Sequence, residues 1–121
     1  VRRKYTIFIF LLASALYACS KSSGGNNEQD DPVSLDCTTI NSSFSEVVFP
    51  IINLNCATSA GCHGPGSVQG PGELTNYTQI KANASAVKNA VLSEEMPPGA
   101  PLSINDQNAI SCWVSAGAPN N

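Results

Sequence analysis

The chain has 121 residues, 12% of them charged, with a formal net charge of −3, five cysteines, and one each of histidine, methionine and tryptophan. That length holds one small domain, and an acidic balance without clustered Lys or Arg argues against nucleic acid as a partner. No set of acid and base residues suggests a substrate pocket, so the expectation is a protein that is not an enzyme.

Residues 1–18 read as a lipoprotein signal peptide: Arg2, Arg3 and Lys4 form a basic head, and Tyr5 to Ala18 is an apolar run too short to span a bilayer. The run ends in Leu16-Tyr17-Ala18-Cys19, which resembles a bacterial lipobox, with Tyr17 bulkier than the usual small residue. This implies lipidation of Cys19 and a membrane contact through that anchor. An ordinary cleavable signal with an incidental cysteine is the other reading. Ser20 and Lys21 follow, with no Asp beside the lipid site, which points to the outer membrane of the cell envelope, facing the periplasm or the exterior. Residues 19–35 are rich in Ser, Gly, Asn and acidic groups and read as a flexible tether. The folded domain is expected over 36–119, a size that usually needs a staple or a cofactor. Without the signal, Lys21, Lys81 and Lys88 stand against all nine acidic residues, which suits a basic or neutral partner.

Within the domain, Phe44, Val47, Val48, Ile51 and Ile52 recur at helical spacing behind a Ser43/Glu46 capping box, predicting a helix that runs into Cys56. Pro50 either kinks that helix or sits in its first turn, with the regular helix starting near Phe49. The apolar face is available to cover one edge of a bound ring.

Next comes Cys56-Ala57-Thr58-Ser59-Ala60-Gly61-Cys62-His63. A histidine directly after the second of two neighbouring cysteines is the arrangement that attaches a c-type haem: the thiols add to the vinyl groups and the imidazole reaches the iron. Five residues separate the cysteines here, where two are usual.

Gly64 to Gly72 reads Gly-Pro-Gly-Ser-Val-Gln-Gly-Pro-Gly and must be a loop. Thr75 to about Ser93 returns to helical composition, with Tyr77, Ile80, Ala84, Val87 and Val91 on one face; one broken helix or two short ones would fit. Met96 follows in a proline-stiffened loop. With His63 the sole histidine, the sixth iron ligand is Met96, a lysine, water or nothing, and Met96 is the favoured candidate over a core filler. The last helix is capped by Ser103 with Asp106 and lined by Ala109, Ile110, Trp113, Val114 and Gly117, with Pro119 expected to end it. Trp113 reads as a core aromatic.

Lipid at Cys19 and haem at Cys56 and Cys62 leave Cys37 and Cys112 as a disulfide pair, provided the terminal helices are neighbours. The competing arrangement pairs Cys56 with Cys62 in a haem-free, disulfide-stapled lipoprotein that serves as a binding or accessory module. A zinc site from Cys56, Cys62 and His63 is a third reading, short of a fourth ligand.

Phe44 to His63, Leu74-Thr75-Asn76-Tyr77, Met96-Pro97-Pro98 and Trp113-Val114-Ser115-Ala116-Gly117-Ala118-Pro119 together resemble the small cytochrome c domains of bacterial lipoproteins, especially those of the Bacteroidetes. The resemblance implies an all-α, class I cytochrome c-like domain of three to four short helices around a covalently bound haem. It further implies haem c on Cys56 and Cys62, His63 as proximal ligand, Met96 as distal ligand, and single-electron transfer with redox partner proteins. The five-residue spacer departs from the family pattern and must bulge away from the porphyrin edge.

Overall fold

A computed structural model describes residues 35–121; the signal segment, Cys19 and the tether up to residue 34 lie outside the described residues. The described chain is helical, with no strand among these residues. Its first element is a π-helical turn, Phe44–Val48, which continues directly into α1, Phe49–Asn55. Ser43 caps the turn by accepting the Glu46 N–H, as the capping box predicts. Of the two readings of Pro50, the structure has the second: the regular α-helix begins at Phe49 with the proline in its first turn, although helical bonding already starts at Phe44. In a regular turn the Pro50 ring would press on the Glu46 carbonyl. The wider π spacing just before it, with Val48 N–H on the Ser43 carbonyl and Phe49 N–H on that of Phe44, makes room for the proline ring.

The second helical region is two helices, α2 (Tyr77–Ala82) and α3 (Ala84–Leu92), divided at Asn83. The Asn83 side chain donates to the Gln79 carbonyl at 2.9 Å, and its own backbone leaves helical geometry at φ −112°, ψ 12°. This local competition for backbone partners is what asparagine offers inside a helix. Asn76 caps α2 by accepting the Gln79 N–H at 3.1 Å.

α4, Ile104–Ser115, starts at the expected Ser103 cap, whose Oγ accepts the Asp106 N–H at 3.2 Å and donates to the Asp106 carboxylate at 2.8 Å. Its end differs from the sequence expectation. Gly117 does not line the helix face but adopts φ +87° just beyond it. The Gly117 N–H then reaches the Val114 carbonyl and the Ala118 N–H the Trp113 carbonyl. This is a Schellman stop, which needs the left-handed conformation that glycine adopts freely, so Gly117 rather than Pro119 terminates the helix.

Trp113 is the centre of the core and is fully buried with Val48, Ile52, Ile80, Val91 and Ile110. The Phe44 ring sits 5.5 Å from Trp113, 5.7 Å from Phe49 and 5.0 Å, edge-on, from Tyr77. Each polar aromatic tip finds a carbonyl in the segment after α4: Trp113 Nε1–H donates to Pro119 at 2.8 Å and Tyr77 O–H to Ala118 at 2.9 Å. α4 packs on the π turn, so the terminal helices are neighbours, and Cys37 and Cys112 form the disulfide with 5.4 Å between their Cα atoms.

Candidate functional site

The site begins where α1 ends. Ile51 and Ile52 go to the core, and the chain reaches Cys56 as the helix C-cap, with the Cys56 N–H still bonded to the Ile52 carbonyl. The next residues fold the long spacer into a closed loop. The Cys56 carbonyl accepts the His63 N–H at 2.9 Å, and the Ser59 carbonyl accepts from both Cys62 at 3.0 Å and Gly64 at 2.8 Å. Gly64 is buried beneath this loop: a Cβ there would stand 2.9 Å from the Ala57 carbonyl oxygen and from Ser59 backbone atoms. Four of the five spacer residues, Thr58 to Gly61, are exposed. The spacer thus forms an exposed loop whose neck is closed by the Cys56–His63 hydrogen bond.

His63 is held on both sides by one segment. Its carbonyl accepts the Leu74 N–H at 2.8 Å, and its Nδ1 lies 3.0 Å from the Gly72 carbonyl oxygen. A carbonyl can only accept, so Nδ1 is the donor, and in the neutral tautomer this leaves the lone pair on Nε2. This is the arrangement by which a ligating imidazole is oriented and made more basic.

Cys56, Cys62, His63 and Met96 all line one cavity of about 340 Å³. Its far wall is α3. Ala86, Val87, Ala90 and Val91 form two adjacent i, i+4 rows on one helix face, a smooth apolar patch suited to a flat ring. The apolar face of the first helix, expected from the sequence to cover a ring, does not line this cavity. The structure instead commits Ile51 and Ile52 to the core and lets α3 face the cavity, with only Asn55 and Cys56 contributed from the end of α1. Leu74, 2% exposed, lines the floor. Met96 is not a core filler: it is 36% exposed at the cavity edge, its N–H bonded to the Ala90 carbonyl at 3.1 Å.

No protein-family model, curated protein or solved structure matches this chain. The site is accordingly read from its own chemistry. Cys56 and Cys62 are both free thiols, so the pairing in the structure is the Cys37–Cys112 arrangement and not the Cys56–Cys62 alternative. Among the described residues no three His, Cys, Asp or Glu side chains converge as a metal-ion site, and the zinc cluster that Cys56, Cys62 and His63 could have made is not formed. The two thiols differ in character. Burial, and secondarily the neighbouring Cys62, pushes the Cys56 thiol up; the hydroxyls of Thr58 and then Ser59 hold that of Cys62 down. At a given pH, Cys62 is thus the readier nucleophile and Cys56 the more sheltered one.

The loop between the cysteines and α2 carries a second polar set that the sequence reading missed. Glu73 Oε1 accepts the Gly66 N–H at 2.6 Å, and Oε2 accepts from the Gln79 amide at 3.2 Å. The Gly66 bond first, and then Gln79, holds the Glu73 carboxyl below the usual glutamate range. Gln79 Oε1 in turn accepts from Thr75 N–H and Oγ, both at 2.9 Å. Ser67 Oγ donates to the Cys62 carbonyl. No helix of the described chain is long and apolar enough to cross a membrane.

Proposed function

We propose that this domain binds a c-type haem in the cavity, with covalent bonds from Cys56 and Cys62, and carries single electrons in the cell envelope, tethered through a lipid on Cys19. The observation that supports this most directly is the convergence of both thiols, the sole histidine and the sole methionine on one largely apolar cavity from positions spread over 40 residues of sequence. The donor set fits the group. His63 presents Nε2 with its other ring nitrogen already committed to Gly72, Met96 presents a thioether on the same cavity, and α3 supplies a flat apolar wall. A bound haem supplies a reversible one-electron couple whose potential follows from its axial ligands and burial. The chain's own work is to fix the imidazole, exclude water with α3 and Leu74, and bring the thiols to the ring edge.

On this reading the all-helical domain is a small class I cytochrome c-like unit, an electron carrier and not an enzyme. Its partners are redox proteins with a basic or neutral face, and the membrane is reached through the lipid anchor, most simply at the outer membrane. The test is direct. Purified from a host with haem-attachment machinery, the chain should give the reduced pyridine adduct of haem c and a mass increased by one haem. A colourless product of unmodified mass would replace this proposal with the haem-free, disulfide-stapled module.

A further inference from the structure

The geometry points to Glu73 as a positioning residue for His63: its side chain fixes the Gly72 carbonyl that selects which imidazole nitrogen is free to bind iron. The inference rests on the reading of His63 as an axial ligand.

His63 touches the neighbouring segment at two points, through the carbonyl of Gly72 and the N–H of Leu74. Glu73 is the residue between them. Leu74 is anchored by burial and the Gly72 N–H by the Gln69 carbonyl at 2.9 Å, but on its carbonyl side Gly72, at φ +84° and without a side chain, follows a stretch in which Gly66 and Gly70 also have positive φ. Glycines of this kind leave the peptide plane between residues 72 and 73 free to rotate, and a rotation would carry the acceptor away from Nδ1. The Glu73 carboxylate removes that freedom. One oxygen holds the Gly66 N–H, on the loop leaving His63, and the other holds Gln79 in the first turns of α2. Gln79 is itself fixed by the two hydrogen bonds from Thr75. The carboxylate thus ties the loop after His63 to the helix after Gly72, with the acceptor peptide clamped in between. Without that tie the ring loses its orienting acceptor, and with it the preference for protonation at Nδ1.

The test needs no haem, which separates it from the proposal for the site. His63 is the only histidine, so its ring nitrogens can be followed without ambiguity in the 15N-labelled full chain. The neutral ring of the wild type is expected predominantly as the Nδ1–H tautomer. Glu73→Ala should shift the ratio toward Nε2–H by at least about fivefold, the change that loss of one ordinary hydrogen bond produces. Glu73→Gln keeps an acceptor oxygen for Gly66 but turns an NH2 toward the Gln79 amide, so it should shift the ratio by a smaller factor than alanine, whereas a role through charge alone would leave it like alanine. Should Glu73→Ala not fold, Gln79→Ala removes one of the two grips and should shift the ratio in the same direction by a smaller factor. An unchanged ratio in a folded Glu73→Ala or Gln79→Ala chain overturns the inference. In haem-loaded chain, Glu73→Ala should also raise the reduction potential, and Glu73→Gln should raise it less, because a less basic imidazole stabilises the oxidised iron less.

Discussion

Cys56 and Cys62 lie seven residues or fewer from His63, yet their surroundings assign them unequal parts. Cys62 is half-buried, held down in pKa by neighbouring hydroxyls and adjacent to His63, while Cys56 is buried at the end of α1. We expect Cys62→Ser to abolish covalent haem and Cys56→Ser to reduce it less completely, read by mass and by haem absorbance that survives acid–acetone extraction; equal, full incorporation in both would remove the attachment motif. Met96→Ala should eliminate the weak near-infrared charge-transfer band of sulfur-ligated ferric haem, lower the potential and admit carbon monoxide faster. Wild type that already binds carbon monoxide fast and completely would show that the thioether is not a ligand. Gly64→Ala should destabilise the chain by about 2 kcal/mol in urea titrations, since its Cβ would press on the backbone of Ala57 and Ser59, which cannot give way as a side chain can. The pH dependence of stability follows from Glu73. Its folded-state pKa is depressed, so its contribution is complete above the unfolded-state value and is lost as pH falls through the folded one. Urea midpoints should therefore drop more steeply below about pH 5 for wild type than for Glu73→Gln.

The helices were legible where their ends are written in side chains. Ser43 with Glu46, Ser103 with Asp106 and the alternation of apolar groups behind them place the first and last helices, and Pro50 signals the irregular start without saying which form it takes. The division at Asn83 was open in the sequence because one asparagine can either cap a helix or face solvent, and only the Gln79 carbonyl within reach decides. The end of α4 was misassigned because proline is the louder signal, although the left-handed glycine two residues earlier already satisfies the last carbonyls. Ser103→Ala and Gly117→Ala should accordingly each cost about 1 kcal/mol of stability with no change in haem content. Of the candidate site, Cys56, Cys62, His63 and Met96 were singled out by residue type and spacing, and the structure brings them to one cavity. The wall was not: Ala86 and Ala90 are too small to mark a binding face by hydropathy, and their role depends on how α3 turns relative to the loop that carries His63. Nor could Glu73 be singled out, since its partners are a backbone N–H and an amide that sequence does not pair.

For the whole molecule, the Cys37–Cys112 disulfide closes 75 residues and ties the segment before the π turn to α4, outside the cavity. In the chain-entropy model a loop of this length stabilises the fold by roughly 4 kcal/mol, a large share for a domain this small. Cys37→Ser should lower the unfolding free energy by about 2 to 5 kcal/mol and leave Cys112 open to alkylation once the chain is loosened. The cavity and the disulfide lie in different regions, so on the proposed reading a haem-loaded chain lacking Cys37 should recover part of the lost stability.

The bond from the Cys56 carbonyl to the His63 amide gives the residue count between the cysteines a different meaning. What the site requires is the width of the neck, set by that bond and by Gly64 beneath it, whereas Thr58 to Gly61 form a tip that solvent surrounds. A tip of this kind is free to vary in length, because each doubling of a flexible loop costs only about 0.6 kcal/mol. Insertion of a Gly-Ser pair between Ala60 and Gly61 should leave covalent loading intact, while the same pair placed between Cys62 and His63 should abolish it. The segment can then serve as a graft point, where a fluorophore or a partner-binding peptide would report on, or bring an electron acceptor to, the mouth of the cavity.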